Sequence, residues 1–343
     1  MFDLDKIVRQ NIRELKAYES ARSLLNLYEY TLLDSNENPF GSYNRYPDNN
    51  YPRLKKYLSK FLDTSRKNIF IGNGSNELID LMFKIFCNPQ KDSIFCFDPT
   101  YGIYETYAKI ADVNIISEKL DDNYTIKKDS LNEHYKNENL KIIFLCSPNN
   151  PTGNIIDKKI IESVLSRFQG VVVVDEAYID FCIEYSCIDL LEKYKNLIIL
   201  RTMSKGLGLA GGRIGYAISS KNIINYFSKV CPPYNVSSLN EEAGIKCLKD
   251  PILIQKRIEL IKNELAIMET KLKKIKGIKK VYNSKANFIL VKVQDPIGLF
   301  EFLVKNKILV RDRSNLVRDS LRLTVGTIPQ NKLLLKTIEK YYE

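Results

Sequence analysis

The sequence predicts an α/β protein: a large unit with a mostly parallel central sheet flanked by helices, then a smaller α+β unit. Three observations predict it. Short apolar runs alternate with amphipathic ones from about residue 68 to 220. Those runs, such as "VVVVD" and "KIIFLC", are continuous rather than alternating, as strands covered on both faces must be. After "CPPYNVSS" the texture changes to one long helical stretch followed by short strands. A chain of 343 residues can bury two cores of this kind.

The elements follow in order. "NIFIGNG" reads as a strand leading into the helix "SNELIDLMFKIF", with Ser75 as the expected N-cap. "DSIFCFDP" leads into a helix over "TYGIYETYAKI". Strands are expected at "VNIISEKL", "KIIFLC", "GVVVVDEA", "NLIILRTMS" and "GRIGYAIS", with a helix near "DKKIIESVLSRF". Pro251 opens and Gly277 follows the helical stretch "ILIQKRIELIKNELAIMETKLKKIK". The strands "NFILVKV", "KILVRDR" and "SLRLTVG" and a terminal helix complete the smaller unit.

Composition removes several classes of function. No window approaches the ~20 apolar residues of a membrane span, and "MFDLDKIVRQ" has no apolar stretch of the kind that directs export. The seven cysteines are odd in number and contain no CxxC. Cys87, Cys96 and Cys146 sit in apolar runs and read as reduced, buried hydrophobes, which points to the cytoplasm. The net charge of +11 is dispersed among acids, so it argues against nucleic acid while favouring small anionic ligands. A single histidine, His134, lies in the polar stretch "LNEHYKNEN". Ser-His-Asp hydrolysis and histidine-ligated zinc, or any metal site, are hard to build from it. Lysine becomes the leading proton carrier.

The stretch "RTMSKGLGLAGGRIG" places Lys205 before five glycines and Arg213. "GLGLAG" matches a dinucleotide fingerprint in letters only. It leads into a strand rather than a helix, and no acid occurs between Gly211 and Glu241 to hold a ribose. A Walker loop fails because its lysine would follow the glycines. "VVVVDEAY" puts Asp175 at the carboxyl end of a buried strand, and "SPNNPTG" brings Asn150 to the same sheet edge. "GNGSNELIDLMF" offers a helix start able to bind an anion. Taken singly, these read equally as a helix cap, a turn and a capped helix. Together they meet the needs of pyridoxal 5′-phosphate: a lysine for its aldehyde, a carboxylate for its ring nitrogen, donors for its phenolic oxygen, and N–H, hydroxyl and guanidinium groups for its phosphate.

With "LLDSNENPFG", "NRYPD", "DPTYGIYE", "CSPNNPTGN", "VVVDEAYIDF", "PPYNV" and "LRLTVGT" in the same order and spacing, the chain resembles the fold-type I, class II aminotransferases along essentially its whole length. "SNENPFG", "YPD" and "DEAYIDF" are similar to the histidinol-phosphate branch of that family. The resemblance implies a PLP-dependent transferase fold with an N-terminal arm (1–35) on the small domain, a large cofactor-binding domain (36–235) and a small domain (236–343). It implies Lys205 as the cofactor's covalent partner and proton shuttle, Asp175 at the pyridinium nitrogen, Asn150 and Tyr178 at the phenolic oxygen, and Tyr101 against the ring. Gly74, Ser75, Ser204 and Arg213 would hold the phosphate, reached also by Tyr46 of a second subunit in a homodimer. Arg322 would bind the substrate carboxylate, with Tyr18, Asn36 and Arg311 on the substrate side. Ala17 and Gly212 depart from the pattern without removing a catalytic group. The implied reaction is transamination of L-histidinol phosphate with 2-oxoglutarate to imidazole acetol phosphate and L-glutamate. An aromatic amino-acid aminotransferase, a phosphoamino-acid decarboxylase and an inactive cofactor-binding regulator are the alternatives.

Overall fold

The computed structural model describes residues 2–16, 30–127 and 129–343. Tyr18 and Ala17 lie outside the described residues.

In chain order the elements are α1 (Leu4–Ile7), α2 (Gln10–Glu14), α3 (Pro52–Leu62), β1 (Ile69–Asn73), α4 (Ser75–Phe86), β2 (Ser93–Asp98), α5 (Ile103–Ile110), β3 (Asn114–Lys119) and β4 (Leu140–Cys146). Next come α6 (Lys158–Arg167), β5 (Val171–Asp175), β6 (Leu197–Thr202), β7 (Ile214–Ser219), α7 (Lys221–Val230), α8 (Ser238–Leu248) and α9 (Pro251–Leu272). Then follow β8 (Ile278–Val281), β9 (Phe288–Val293), α10 (Pro296–Lys305), β10 (Arg311–Asp312), β11 (Ser320–Thr324) and α11 (Ile328–Tyr342).

The large sheet runs β1-β7-β6-β5-β4-β2-β3. Only β7 is antiparallel to its neighbours, so the expectation of a mostly parallel sheet is borne out. The continuous apolar strands are explained by the two cores they feed. Val172 and Val174 enter one core with Leu54 and Leu58 of α3 and Ile161 of α6. Val171 and Val173 enter the other with Leu78 and Met82 of α4, Tyr104 of α5 and Phe227 of α7. Edge strand β3 is covered less, and its burial is correspondingly mixed.

The small sheet, β10-β11-β9-β8, is antiparallel throughout. Its core gathers Ile289, Val291, Leu321 and Leu323 against α9, α10 and α11. Helix α9 begins with Asp250 as N-cap and Pro251 in the first turn, where a missing N–H costs nothing. Ile254 and Ile258 at its start belong to the large core, whereas Leu265, Met268 and Leu272 belong to the small one. One rigid rod therefore ties the two sheets together.

Three details differ from the sequence reading. The strand expected over "KILVRDR" pairs only at Arg311–Asp312, and β8 lacks the apolar run that would announce it. The described start of the arm lies on the large unit, not the small one. Arg9 N–H donates to the Ile85 carbonyl at 3.0 Å, and Lys229 Nζ to the Arg13 carbonyl at 2.7 Å. Val8 and Ile12 are buried in the α4–α7 core, which gives these apolar side chains a home that the small sheet does not offer.

Candidate active site

The carboxyl ends of the parallel strands converge on a cavity of about 200 Å³. It is lined by residues of the β4, β5 and β6 ends, the start of α4, the β6–β7 hairpin and the small sheet, among them Ser75, Tyr101, Asn150, Asp175, Tyr178, Ser204, Lys205, Arg213 and Arg322. Nine sequence-predicted residues are thus brought together from six distant segments. A wider groove of about 880 Å³ between the N-terminal segment and α7 has no such convergence of groups.

Asp175 ends β5 and is 2% exposed. Its Oδ2 accepts from Tyr104 Oη at 2.6 Å and its Oδ1 from Ala177 N–H at 3.0 Å. Burial raises its pKa, and those two hydrogen bonds offset part of the rise. Tyr104 is itself locked by a stack on Phe144 with centroids 4.5 Å apart. The carboxylate is held in one orientation, in a place where a cationic partner would be welcome.

Lys205 sits in the hairpin between β6 and β7, with Nζ 5.6 Å from the centroid of the Tyr178 ring. Its pKa is lowered, first by burial and then by the guanidiniums of Arg322 and Arg213, with Asp175 acting the other way. A lysine so placed has more free amine at neutral pH than a surface lysine, as a nucleophile and base requires.

The start of α4 corrects one expectation. Ser75 is the first residue of the helix, and the N-cap is Gly74 at φ 78°. The reason is space and backbone angle together. A Cβ at Gly74 would run into the Arg213 guanidinium, and one at Gly215 into the Gly74–Ser75 peptide. The side-chain acceptor at this end comes instead from Glu77, whose Oε2 receives Asn73 N–H at 2.6 Å. The first N–H groups of α4 therefore stay available beside Arg213, whose NH1 is 3.5 Å from Ser204 Oγ. Helix dipole, hydroxyls and guanidinium make an anion corner.

On the opposite wall Arg322 NH1 donates to Asn150 Oδ1 at 2.5 Å, joining the small sheet to the β4 loop. Tyr178 packs edge-on against Phe288 at 5.1 Å, and Tyr101 Oη donates to Asn76 Oδ1 at 3.2 Å. Beneath the floor, Arg201 pairs with Glu176 at 2.8 Å, both nearly inaccessible, with Ser186 bridging.

Three predicted residues lie elsewhere. Asn36 and Tyr46 line a separate surface pocket, where Tyr46 stacks on Tyr234 at 4.4 Å. Arg311 is exposed on β10. Sequence reasoning missed Tyr104, Asn76, Thr202 and Arg313. Of these, Arg313 carried a usable signal, two residues from Arg311 in a strand-like run, whereas Tyr104, in an amphipathic helix, read as core.

Residues 24–338 match the family model described as aminotransferase class I and II. The chain belongs to the class I and II aminotransferases. As an aminotransferase of this family it is similar to the histidinol-phosphate aminotransferase of Cytophaga hutchinsonii, 40% identical over 99% of both chains. That of Bacteroides thetaiotaomicron is 41% identical, again over 99% of each. Among solved structures, the histidinol-phosphate aminotransferase of Clostridium acetobutylicum superposes with a TM-score of 0.80 at 29% identity, covering 87% of this chain and 90% of the other. The cofactor of this aminotransferase is pyridoxal 5′-phosphate. The residues present fit it: a buried carboxylate, a lysine of lowered pKa and an anion corner line one cavity.

Proposed function

We propose that the protein transaminates L-histidinol phosphate with 2-oxoglutarate, yielding imidazole acetol phosphate and L-glutamate in histidine biosynthesis, as a cytoplasmic homodimer. The observation that carries this reading is the charge of the cavity. Among the described residues, Lys205, Arg213, Arg313 and Arg322 line it against one carboxylate, that of Asp175. One anion corner serves the cofactor, so the arginines of the small sheet remain for an anionic substrate.

The cofactor, when bound, supplies an electrophilic carbon for the amino group and a ring that accepts the electron pair released at the substrate's Cα. The chain's residues do the rest. Gly74 and Ser75 at the α4 start, with Ser204 and Arg213, would hold the phosphate. Asp175 would keep a proton on the ring nitrogen, fixed in aim by Tyr104 and Ala177. Asn150 and Tyr178 would face the phenolic oxygen, and Tyr101 the ring. Lys205 would take the proton from Cα and return one at the neighbouring carbon, its amine kept partly free by burial and by Arg322 and Arg213. Arg322 would bind the substrate's oxyanion, since its fork accepts either a carboxylate or a phosphate. Tyr18, Asn36 and Arg311 would complete the substrate side.

The homodimer is supported by exposed apolar side chains beside Asn36 and Tyr46. Leu33 is 87%, Phe40 82% and Tyr43 58% exposed, more than an isolated surface normally leaves together. Tyr46 would reach the partner's cofactor site from this patch.

The test is a single-turnover half-reaction followed by the loss of the cofactor's visible absorbance. The wild type should respond to histidinol phosphate at far lower concentration than to phenylalanine, and Lys205→Ala should show no turnover. A preference for phenylalanine, or transamination retained in Lys205→Ala, defeats the reading.

A further inference from the structure

We propose that Asp180 is a positioning residue: through Gly206 it holds the hairpin between β6 and β7, so that the Lys205 amine stands at one point in the cavity. The inference deepens the reading above and rests on Lys205 as the residue that bonds the cofactor.

The two segments meet just past Asp175 and just past Lys205. Beyond β5 the chain makes a single helical turn, Ile179–Phe181. Ile179 and Phe181 are buried and anchor the turn on either side of Asp180. Its side chain lies against the hairpin, where a Cβ on Gly206 would run into the Asp180 Cβ, Cγ and Oδ2. A Cβ on Gly208 or Gly211 would meet nothing, and one on Gly212 would meet Leu209 of the hairpin itself. Among the described residues, Asp180 is thus the side chain from outside that grips the glycine run.

The grip falls where the backbone needs it. Ahead of the lysine, Ser204 N–H donates to Thr202 Oγ1 at 3.1 Å and Met203 N–H to the Ile214 carbonyl at 2.9 Å. Behind it, Gly208 N–H donates to the Lys205 carbonyl at 3.1 Å, closing a turn around Gly206 and Leu207. A turn built on glycine has many backbone states, and a packed neighbour removes most of them. Alongside, Arg201 of β6 pairs with Glu176, the residue after Asp175. Burial pushes the Asp180 carboxyl up to about 6, with Arg201 drawing it down and Glu176 adding to the rise. A carboxyl kept half-buried at that cost, against a glycine beside the reactive lysine, has a positional use. The phosphate end does not share the dependence, because Ser204 is fixed by Thr202 and Arg213 leads directly into β7.

The experiment titrates the whole chain, freed of cofactor, with pyridoxal 5′-phosphate and with pyridoxine 5′-phosphate, which lacks the aldehyde and cannot condense with an amine. Visible absorbance reports the first, appearing as amine and aldehyde join with loss of water. Asp180→Gly should slow that appearance by about 10- to 100-fold. Its affinity for pyridoxine 5′-phosphate should stay within ~2-fold of wild type, as for independent sites. Asp180→Asn, which keeps the shape, should lie between wild type and Asp180→Gly. Gly206→Ala should reproduce the defect. Combined with Asp180→Gly it should recover part of the loss, since the room for the new methyl is then vacated. Equal losses on both ligands, no loss with the aldehyde, or strictly additive losses in the double variant overturn the role of Asp180. A Lys205→Ala variant that develops the same absorbance as wild type overturns instead the reading of Lys205.

Discussion

At the scale of the residue, Asp175 shows how a group can be costly to the fold and useful to the chemistry. Its pKa is raised by burial, so the folded state holds its proton more tightly than the unfolded chain does. The penalty is absent below the ordinary carboxylate range and grows as pH rises through the raised pKa. At neutral pH the burial of this carboxyl therefore weakens the cofactor-free protein. Asp175→Asn should melt no earlier than wild type at neutral pH without cofactor. With cofactor it should transaminate on the order of 10³-fold more slowly. Thermal melts paired with half-reaction rates check both; an early-melting apo variant would mean that the carboxylate stabilises the fold. Asp175 was legible because an acid closing a run of four valines has few other reasons to be there. Tyr104, which aims it, was not, since a tyrosine in an amphipathic helix looks like core until its hydroxyl is seen to reach the strand.

At the scale of the element, the anion corner depends on how closely β7 approaches α4. A Cβ at Gly215 would collide with the backbone of Gly74 and Ser75, which cannot rotate away as a side chain could. Gly215→Ala should push the helix start off the phosphate position, costing about 1–3 kcal/mol. Fluorescence titration with pyridoxal 5′-phosphate should show this as weaker binding, and unchanged affinity would mean that the helix start is not the phosphate site. The helix itself was plain in the sequence, but its cap was not. A serine opening a helix normally caps it, and only the φ of Gly74 and the reach of Glu77 show that Ser75 lies one residue inside. The strands of the large sheet were legible because burial on both faces writes an unbroken apolar run. The small sheet's edges were not: β8 is half-exposed, and β10 pairs over just two residues.

At the scale of the molecule, the proposed dimer can be tested through its division of labour. If each site draws its lysine from one subunit and Tyr46 from the other, Lys205→Ala and Tyr46→Ala damage different halves of the same site. Mixing the two variants through subunit exchange should yield hybrids with one intact site. The mixture should then regain about a quarter of wild-type activity, since half of the dimers are hybrid and half of their sites are whole. Activity no greater than the average of the separate variants would show that each chain completes its own site. The assembly was unreadable from periodicity, because the exposed apolar residues from Leu33 to Tyr46 sit in a loop and form no amphipathic pattern. Only the resemblance to a family suggested it.

The reversed direction of β7 has one further consequence. Because this strand turns back beside β6, Lys205 and Arg213 occupy the same short hairpin. A coenzyme gripped by the amine at one point and by the guanidinium at another acts as a clasp across that loop. Departure of the vitamin would then unfasten a piece of the backbone as well as empty a pocket, so that supply of the coenzyme and firmness of the scaffold rise and fall together.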